Sequence, residues 1–330
     1  MNFDVGMPLT LLIVTLVAMF LNEKVEGKLR GVLEAREFRV QDVIFFVAAI
    51  SITVSIIVFI PRMAIMLVFL FAYSMLLFMF TYVFSDFQKR GAQLFFEFFL
   101  AITLLAAIVS LFNSTANIFV FYGALAFLGL FGFSCAALLY ERKRSLAGRR
   151  WYLAMLPTAL FICLYIFFSG TSVWFPFLLN FYGMIFAILI ILYLGSLFTW
   201  KTSIIFAGLL TLVDVILVLF TGSMVSAARS VQALRLPMLI SVPTVPFIMT
   251  ERGILYMSLG LGDFFFAGLL AIQSMKKFGK NFALISVVAM CMSFFIFEAL
   301  ILNYELTAFP GTLMIICGWL PLTLWRSLKN

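Results

Sequence analysis

Apolar residues run along this chain in long unbroken stretches, set apart by short clusters of Lys, Arg, Pro and Gly. A membrane-crossing helix needs about 20 such residues, with ~17–25 tolerated. Runs of that size cover roughly 5–21, 43–60, 63–84, 92–112, 116–140, 152–169, 174–198, 203–222, 253–272, 282–302 and 307–325. The second and third are parted only by Pro61-Arg62. None of the runs alternates apolar with polar at a period of two, which sets aside a barrel. In hydrocarbon every backbone N–H and C=O needs an internal partner, and helices then remain. The first run precedes many others and lacks a small-residue cleavage site, so it reads as a helix and not as a signal peptide. The longest connections, about 22–42, 141–151 and 223–252, are too short for a soluble domain. The pattern predicts an all-α polytopic membrane protein with about 11 transmembrane helices.

Composition agrees. Of 330 residues, 65% are hydrophobic and 11% charged, where soluble domains carry roughly 25% charged residues. Such a chain cannot cover its core with its own polar surface, so lipid is its main solvent and partner. The net charge of +8 comes from a one-sided spread of cations. If the loop holding Arg142, Lys143, Arg144, Arg149 and Arg150 is cytoplasmic, alternation of the helices places 18 Lys and Arg inside. Only Arg62, Arg229, Arg235 and Arg252 then lie outside. By the positive-inside rule this predicts a cell-membrane protein with its N-terminus outside and its C-terminus in the cytoplasm. The same asymmetry accounts for the basic charge, and no nucleic-acid partner is implied.

Absences narrow the chemistry. The chain has no histidine, which removes the helical zinc-protease motif and any Ser–His or Cys–His nucleophile. Cys135, Cys163, Cys291 and Cys317 lie singly in apolar runs, without metal-ligand or paired spacing. No Walker-type glycine loop is present, so nothing points to a nucleotide, and no metal or cofactor is expected. Asn113-Ser114-Thr115 is a formal glycosylation acceptor, but it sits close to the membrane in an outer connection.

Carboxylates remain. Four of the 14 Asp and Glu fall inside apolar runs: Glu97, Asp214, Asp263 and Glu298. An acid at the centre of a membrane helix costs ~2.5–3.5 kcal/mol on insertion scales, so each is a candidate for function. Glu97 lies near the start of its run and Glu298 near the outer end of its own, and both read first as structural. Asp214 and Asp263 sit deep in consecutive, antiparallel runs, eight residues before Gly222 and ten after Gly253. At ~1.5 Å rise per residue, these are about 12 and 15 Å from the same membrane face, so the two carboxyls are expected to meet. Two carboxyls in contact away from water share a proton: one activates a water while the other polarises a carbonyl. Gly260-Leu261-Gly262 precedes Asp263, and the glycines there are expected to let another backbone approach the carboxylate. Paired mid-membrane acids also suit a cation transporter or channel, which stays open at this point.

With these residues in place, the sequence resembles the GxGD intramembrane aspartyl proteases, the family of presenilin and signal peptide peptidase. Val213-Asp214-Val215-Ile216-Leu217-Val218 is similar to the family's Tyr-Asp helix, continuing through Thr221, Met224 and Val225. Leu236-Pro237-Met238, leading to Pro243, is similar to the proline-bearing segment between the two aspartate helices. Leu259-Gly260-Leu261-Gly262-Asp263 carries the signature, and Pro310-Gly311-Thr312 stands where the family has Pro-Ala-Leu. Val213 stands where the family has Tyr. The resemblance covers the last third of the chain, and its short loops look more like microbial than animal members.

The resemblance implies hydrolysis of peptide bonds within transmembrane or signal-peptide helices by an Asp214/Asp263 dyad and a water. It implies a third motif, Pro310-Gly311-Thr312, that braces the site and helps hold substrate extended, with Pro310 breaking its helix. The apolar, proline-bearing segment Leu236–Pro246 is expected to offer substrate an extended edge. The family has nine spans, so residues 1–62 are read as extra helices, 63–200 as the first part of the core and 201–330 as the catalytic helices. Peptide substrates of transmembrane type, membrane lipid and a second copy of the chain are the implied partners. A catalytically silent scaffold of the same fold is the third reading, kept open by the altered third motif.

Overall fold

The computed structural model describes residues 2–33, 37–86, 88–113, 118–144, 148–251, 253–304, 306 and 308–329. The helices in chain order are α1 (Gly6–Leu33), α2 (Val40–Ile57), α3 (Arg62–Val83), α4 (Lys89–Asn113), α5 (Ile118–Lys143), α6 (Trp151–Phe168), α7 (Leu179–Gly195), α8 (Trp200–Val215), α9 (Ser223–Ala233), α10 (Leu261–Phe278), α11 (Lys280–Asn303) and α12 (Gly311–Lys329). A wider helical turn, Ile216–Phe220, carries α8 onward. Among the described residues, nine helices are long and apolar enough to cross a membrane. The chain is a multi-pass membrane protein, helical almost throughout.

Each of the eleven predicted runs holds one of these helices, but α10 and α12 are not among the nine, and the other differences lie at helix ends. The first run, expected to stop near 21, continues as helix to Leu33. Its last turns are polar, and Glu26 and Arg30 pair one turn apart at 3.0 Å, so the apolar signal fades before the helix does. The run expected over 253–272 becomes helix only at Leu261 and lasts to Phe278. Residues before it are strand. Four strands, β1 (Leu239–Pro243), β2 (Met249–Thr250), β3 (Gly253–Ile254) and β4 (Tyr256–Gly260), form a narrow antiparallel ribbon. In it β1 pairs with β4 and β2 with β3. Helix is disfavoured here by Pro243, Pro246, Gly253 and Gly260. Extended backbone is tolerated beside lipid only where its polar groups are paired or line a cavity, and the ribbon pairs them. The predicted connection 223–252 therefore holds α9, β1 and β2.

Two compact units make up the chain: residues 1–66 with 176–330, and residues 67–175. In the smaller unit α4, α5 and α6 pack on one another. The fully buried Glu141 there accepts from Arg150 Nε at 2.8 Å and from the Tyr152 hydroxyl, while the Arg150 N–H donates to Ser85 Oγ. In the larger unit α1 packs on α7, α10 and α11. Helix α12 lies so close to α11 that a Cβ on Gly318 would fall 2.2 Å from the Ala289 carbonyl oxygen. Trp319 Nε1 donates to Ser274 Oγ of α10 at 2.8 Å, tying these last helices together.

The larger unit has two distinct ends. At one, Lys276 Nζ meets Glu26 at 2.7 Å and Arg30 donates to the Ser196 carbonyl. At the other, Asn2 bonds Asn303, and Asp4 accepts from the Val245 N–H at 2.6 Å.

Candidate active site

Asp214 lies near the end of α8 and is buried; Asp263 is the third residue of α10 and half-buried. They are close enough that Asp263 feels the charge of Asp214. Asp263 was expected ten residues into its helix and is instead in the first turn, because the preceding ten residues include strand. The pairing is present although the helix that was to produce it begins only at Leu261.

The third motif joins them. The Thr312 hydroxyl donates to Asp214 Oδ2 at 2.6 Å, and the Thr312 backbone N–H donates to the same oxygen at 3.2 Å. Thr312 is the second residue of α12, whose first N–H groups have no partner within the helix. Asp214 thus caps α12 from 98 residues away, where the helix dipole favours negative charge. Gly311 faces the other acid: a Cβ there would fall 2.6 Å from Asp263 Oδ1 and 2.7 Å from its carboxyl carbon. Pro310 does not break a helix as expected. It precedes α12, and its carbonyl accepts from the Met314 N–H at 3.2 Å, so the proline marks the start of the helix.

Gly260, Leu261 and Gly262 divide in role. The backbone of Gly260 bonds the Asp263 carboxyl, and a Cβ on Gly260 would lie 3.3 Å from Asp263 Oδ2. Leu261 is buried, and its N–H donates to the Met238 carbonyl, closing the ribbon onto the helix. A Cβ on Gly262 would meet nothing within 4 Å, so the close approach expected at both glycines falls on Gly260 and, more tightly, on Gly311.

A cavity of about 310 Å³ opens over the pair, walled by both aspartates, Gly260, Gly311 and Ser258 and otherwise mostly by apolar side chains. The strand beside it is oriented for pairing. Ser241 gives its N–H to Asn180 Oδ1 at 2.8 Å, and its carbonyl accepts from Asn180 Nδ2 at 2.6 Å. The backbone of Ser241 therefore points away from its partner Ser258, which makes this a non-hydrogen-bonded pair. The backbone of Ser258 points outward in turn, on the strand that lines the cavity.

The other two intramembrane acids separate. Glu298 is buried in the wall of the same cavity. Glu97 is exposed on α4, in the smaller unit and outside the lining of the cavity. Two contributors escaped the sequence reading. Asn180 is a polar residue within an apolar run, a signal of the same kind as the acids. Asp4 is fully buried and caps α1 through the Gly6 and Met7 N–H groups; an Asp just ahead of a long apolar run is the pattern of a helix cap. The four cysteines are free, and among the described residues no three His, Cys, Asp or Glu side chains gather to hold a metal ion. No protein-family model matches the chain, and no curated protein is significantly similar to it.

Proposed function

We propose that this chain is an intramembrane aspartyl protease of the presenilin and signal peptide peptidase type. The observation that carries this reading is the convergence at one cavity of three segments distant in sequence: Asp214, Asp263 and Gly311-Thr312. On this reading a water held between the carboxyls loses a proton to one of them as its oxygen attacks the scissile carbonyl. The other carboxyl donates to that carbonyl oxygen. The gem-diol collapses with proton transfer to the amide nitrogen, releasing a carboxylic acid and an amine. The two acids titrate as one system, and the roles belong to the pair. The bonds from Thr312 occupy one oxygen of Asp214 and hold the carboxyl in register with Asp263.

A scissile amide inside a helix is shielded by its own hydrogen bonds, so substrate must unwind. The outward backbone of Ser258 offers main-chain partners to an extended segment two strand residues before the signature Gly260. This moves the expected docking edge from Leu236–Pro246 to the partner strand β4, because Asn180 already occupies the outer side of β1.

In the proposed orientation the end carrying Lys276 and Arg30 is cytoplasmic and the ribbon is outside, in the cell membrane. The core then lies as in signal peptide peptidase, and substrates are helices with a cytoplasmic N-terminus. Residues 1–62 remain additional to the family's nine spans, with α1 packed in the same unit as the aspartate helices. Two observations favour other readings. The third acid of the cavity, Glu298, suits a cation transporter. The capping of α12 by Asp214 gives that acid a structural use that a silent scaffold would also keep.

The deciding experiment is cleavage of transmembrane peptides by the reconstituted protein, read by mass spectrometry, against Asp214→Asn and Asp263→Asn. An intramembrane cut lost in both variants is expected. A wild type as silent as both variants across several substrates, or a cut that survives either substitution, overturns the proposal.

A further inference from the structure

The acid that the dyad leaves unused is Glu298 on α11. It is 1% exposed, it lines the cavity, and neither of its carboxyl oxygens has a hydrogen-bond partner among the described residues. Its acidic neighbours differ. Asp214 is held by Thr312, and Asp4 accepts from the N–H groups of Gly6, Met7 and Val245. A buried carboxyl without donors is among the costlier groups to leave in an apolar wall. Met7, Phe294, Ile301 and Met314 line the same cavity, and among the described residues no Lys or Arg does. The charge that Glu298 does feel is that of Asp4, another acid. Together with the two aspartates this makes an acidic recess with no cation of its own among the described residues, and a cation that enters favours the ionised form of these acids.

A carboxylate offers only acceptors, and an ammonium or guanidinium offers only donors, so each completes the other. We infer that Glu298 forms a subsite for a cationic side chain, Lys or Arg, carried by a helical peptide that enters the cavity. The peptide as occupant rests on the protease reading; the cation preference rests on Glu298 alone. The long apolar stem of Lys or Arg suits the Met and Phe lining, with the charge delivered at its end. Glu298 lies five residues before Asn303, toward the end of the unit where Asn303 meets Asn2. The cation therefore belongs on the stretch of substrate that runs from the dyad toward that end. In the proposed orientation this is the C-terminal side of the scissile bond.

Binding tests this apart from catalysis. A fluorescent transmembrane peptide, varied at one position at a time to Lys, Arg, norleucine, Gln or Glu, is titrated with the full chain in detergent. Lys or Arg at one or two neighbouring positions is expected to tighten binding on the order of tenfold over norleucine, about 1.4 kcal/mol. Glu there is expected to weaken it, and Glu298→Gln to erase the difference. Equal affinities at every position in the wild type overturn the inference, whatever the folding of the variant. So does a cation preference that survives Glu298→Gln. Free n-butylammonium is expected to leave the Lys peptide bound, and displacement at millimolar levels overturns the peptide as occupant in favour of small cations. Cleavage in the same samples is scored separately, so a series of peptides that bind with the cation preference but are never cut sinks the protease reading and leaves the subsite standing.

Discussion

Thr312 and Gly311 do different work on neighbouring acids. Thr312 gives two hydrogen bonds to one oxygen of Asp214, and bonds of this kind to a charged group are each worth ~1.5–3 kcal/mol. Gly311 contributes by having no side chain, since the 2.6 Å that a Cβ would leave to Asp263 Oδ1 is below any ordinary contact. The Asp263 carboxyl is also held by the Gly260 backbone, which limits how far it can retreat. Gly311→Ala is therefore expected to force the carboxyl or the start of α12 aside, at the ~1–3 kcal/mol typical of overpacking. Gly262→Ala, facing open space, is expected to be tolerated although it alters the signature itself. Peptide-cleavage rates with thermal unfolding of both variants check this: the expected result is a large loss in Gly311→Ala and near wild-type behaviour in Gly262→Ala. The reverse order would mean that the signature glycines act on something other than the contacts seen here. At this scale the acids were legible, because an acid inside an apolar run has a cost that demands a use. Thr312 and Gly311 were visible only as departures from a motif, since neither residue type is unusual in a membrane helix.

Among elements, the ribbon was the hardest to read. Residues 253–272 are apolar enough to pass for a helix, and hydropathy is blind to whether an apolar segment is coiled or extended. What decides is the partner: β1 supplies β4 with a ladder, and Asn180 supplies the outer side of β1 with the two bonds a third strand would give. The long helices were legible from run length alone, since in lipid a lone apolar run has few alternatives, whereas α9, within a predicted connection, was not. Their polar ends were not, as α1 shows by continuing past 21 to Leu33. Asn180→Leu removes both bonds and leaves the Ser241 N–H and carbonyl unsatisfied, which typically costs ~1–3 kcal/mol per group. The expected outcome is faster amide hydrogen exchange over 239–243 and 256–260, with peptide binding weakened more than overall stability. Unchanged exchange across the ribbon would show that Asn180 merely accompanies β1.

At the level of the whole molecule, sidedness follows from which loop ends meet. In the larger unit, Asn2, Asp4, Val245 and Asn303 gather at one end, and Glu26, Arg30, Ser196 and Lys276 at the other. This is the grouping that alternation of the predicted spans requires, and it holds although α9 and the ribbon were unforeseen. Which end is cytoplasmic is a matter of charge. Lys24, Lys28, Arg30, Lys276, Lys277 and Lys280 share the second end, and anionic cytoplasmic lipid favours that clustering by ~1 kcal/mol per cation near the surface. Glu251 and Lys277 are exposed on opposite sides of α10 in chain order and make a matched pair of probes. In a background whose four native cysteines are replaced, Glu251→Cys is expected to react with a membrane-impermeant maleimide on intact cells. Lys277→Cys is expected to react only after the cells are opened. The opposite pattern would turn the molecule over, bring the ribbon and the Glu298 end of the cavity to the cytoplasm, and reverse the substrate polarity proposed here. It would leave the meeting of Asp214 and Asp263 untouched, since that depends on the fold of one unit and not on which way the unit faces.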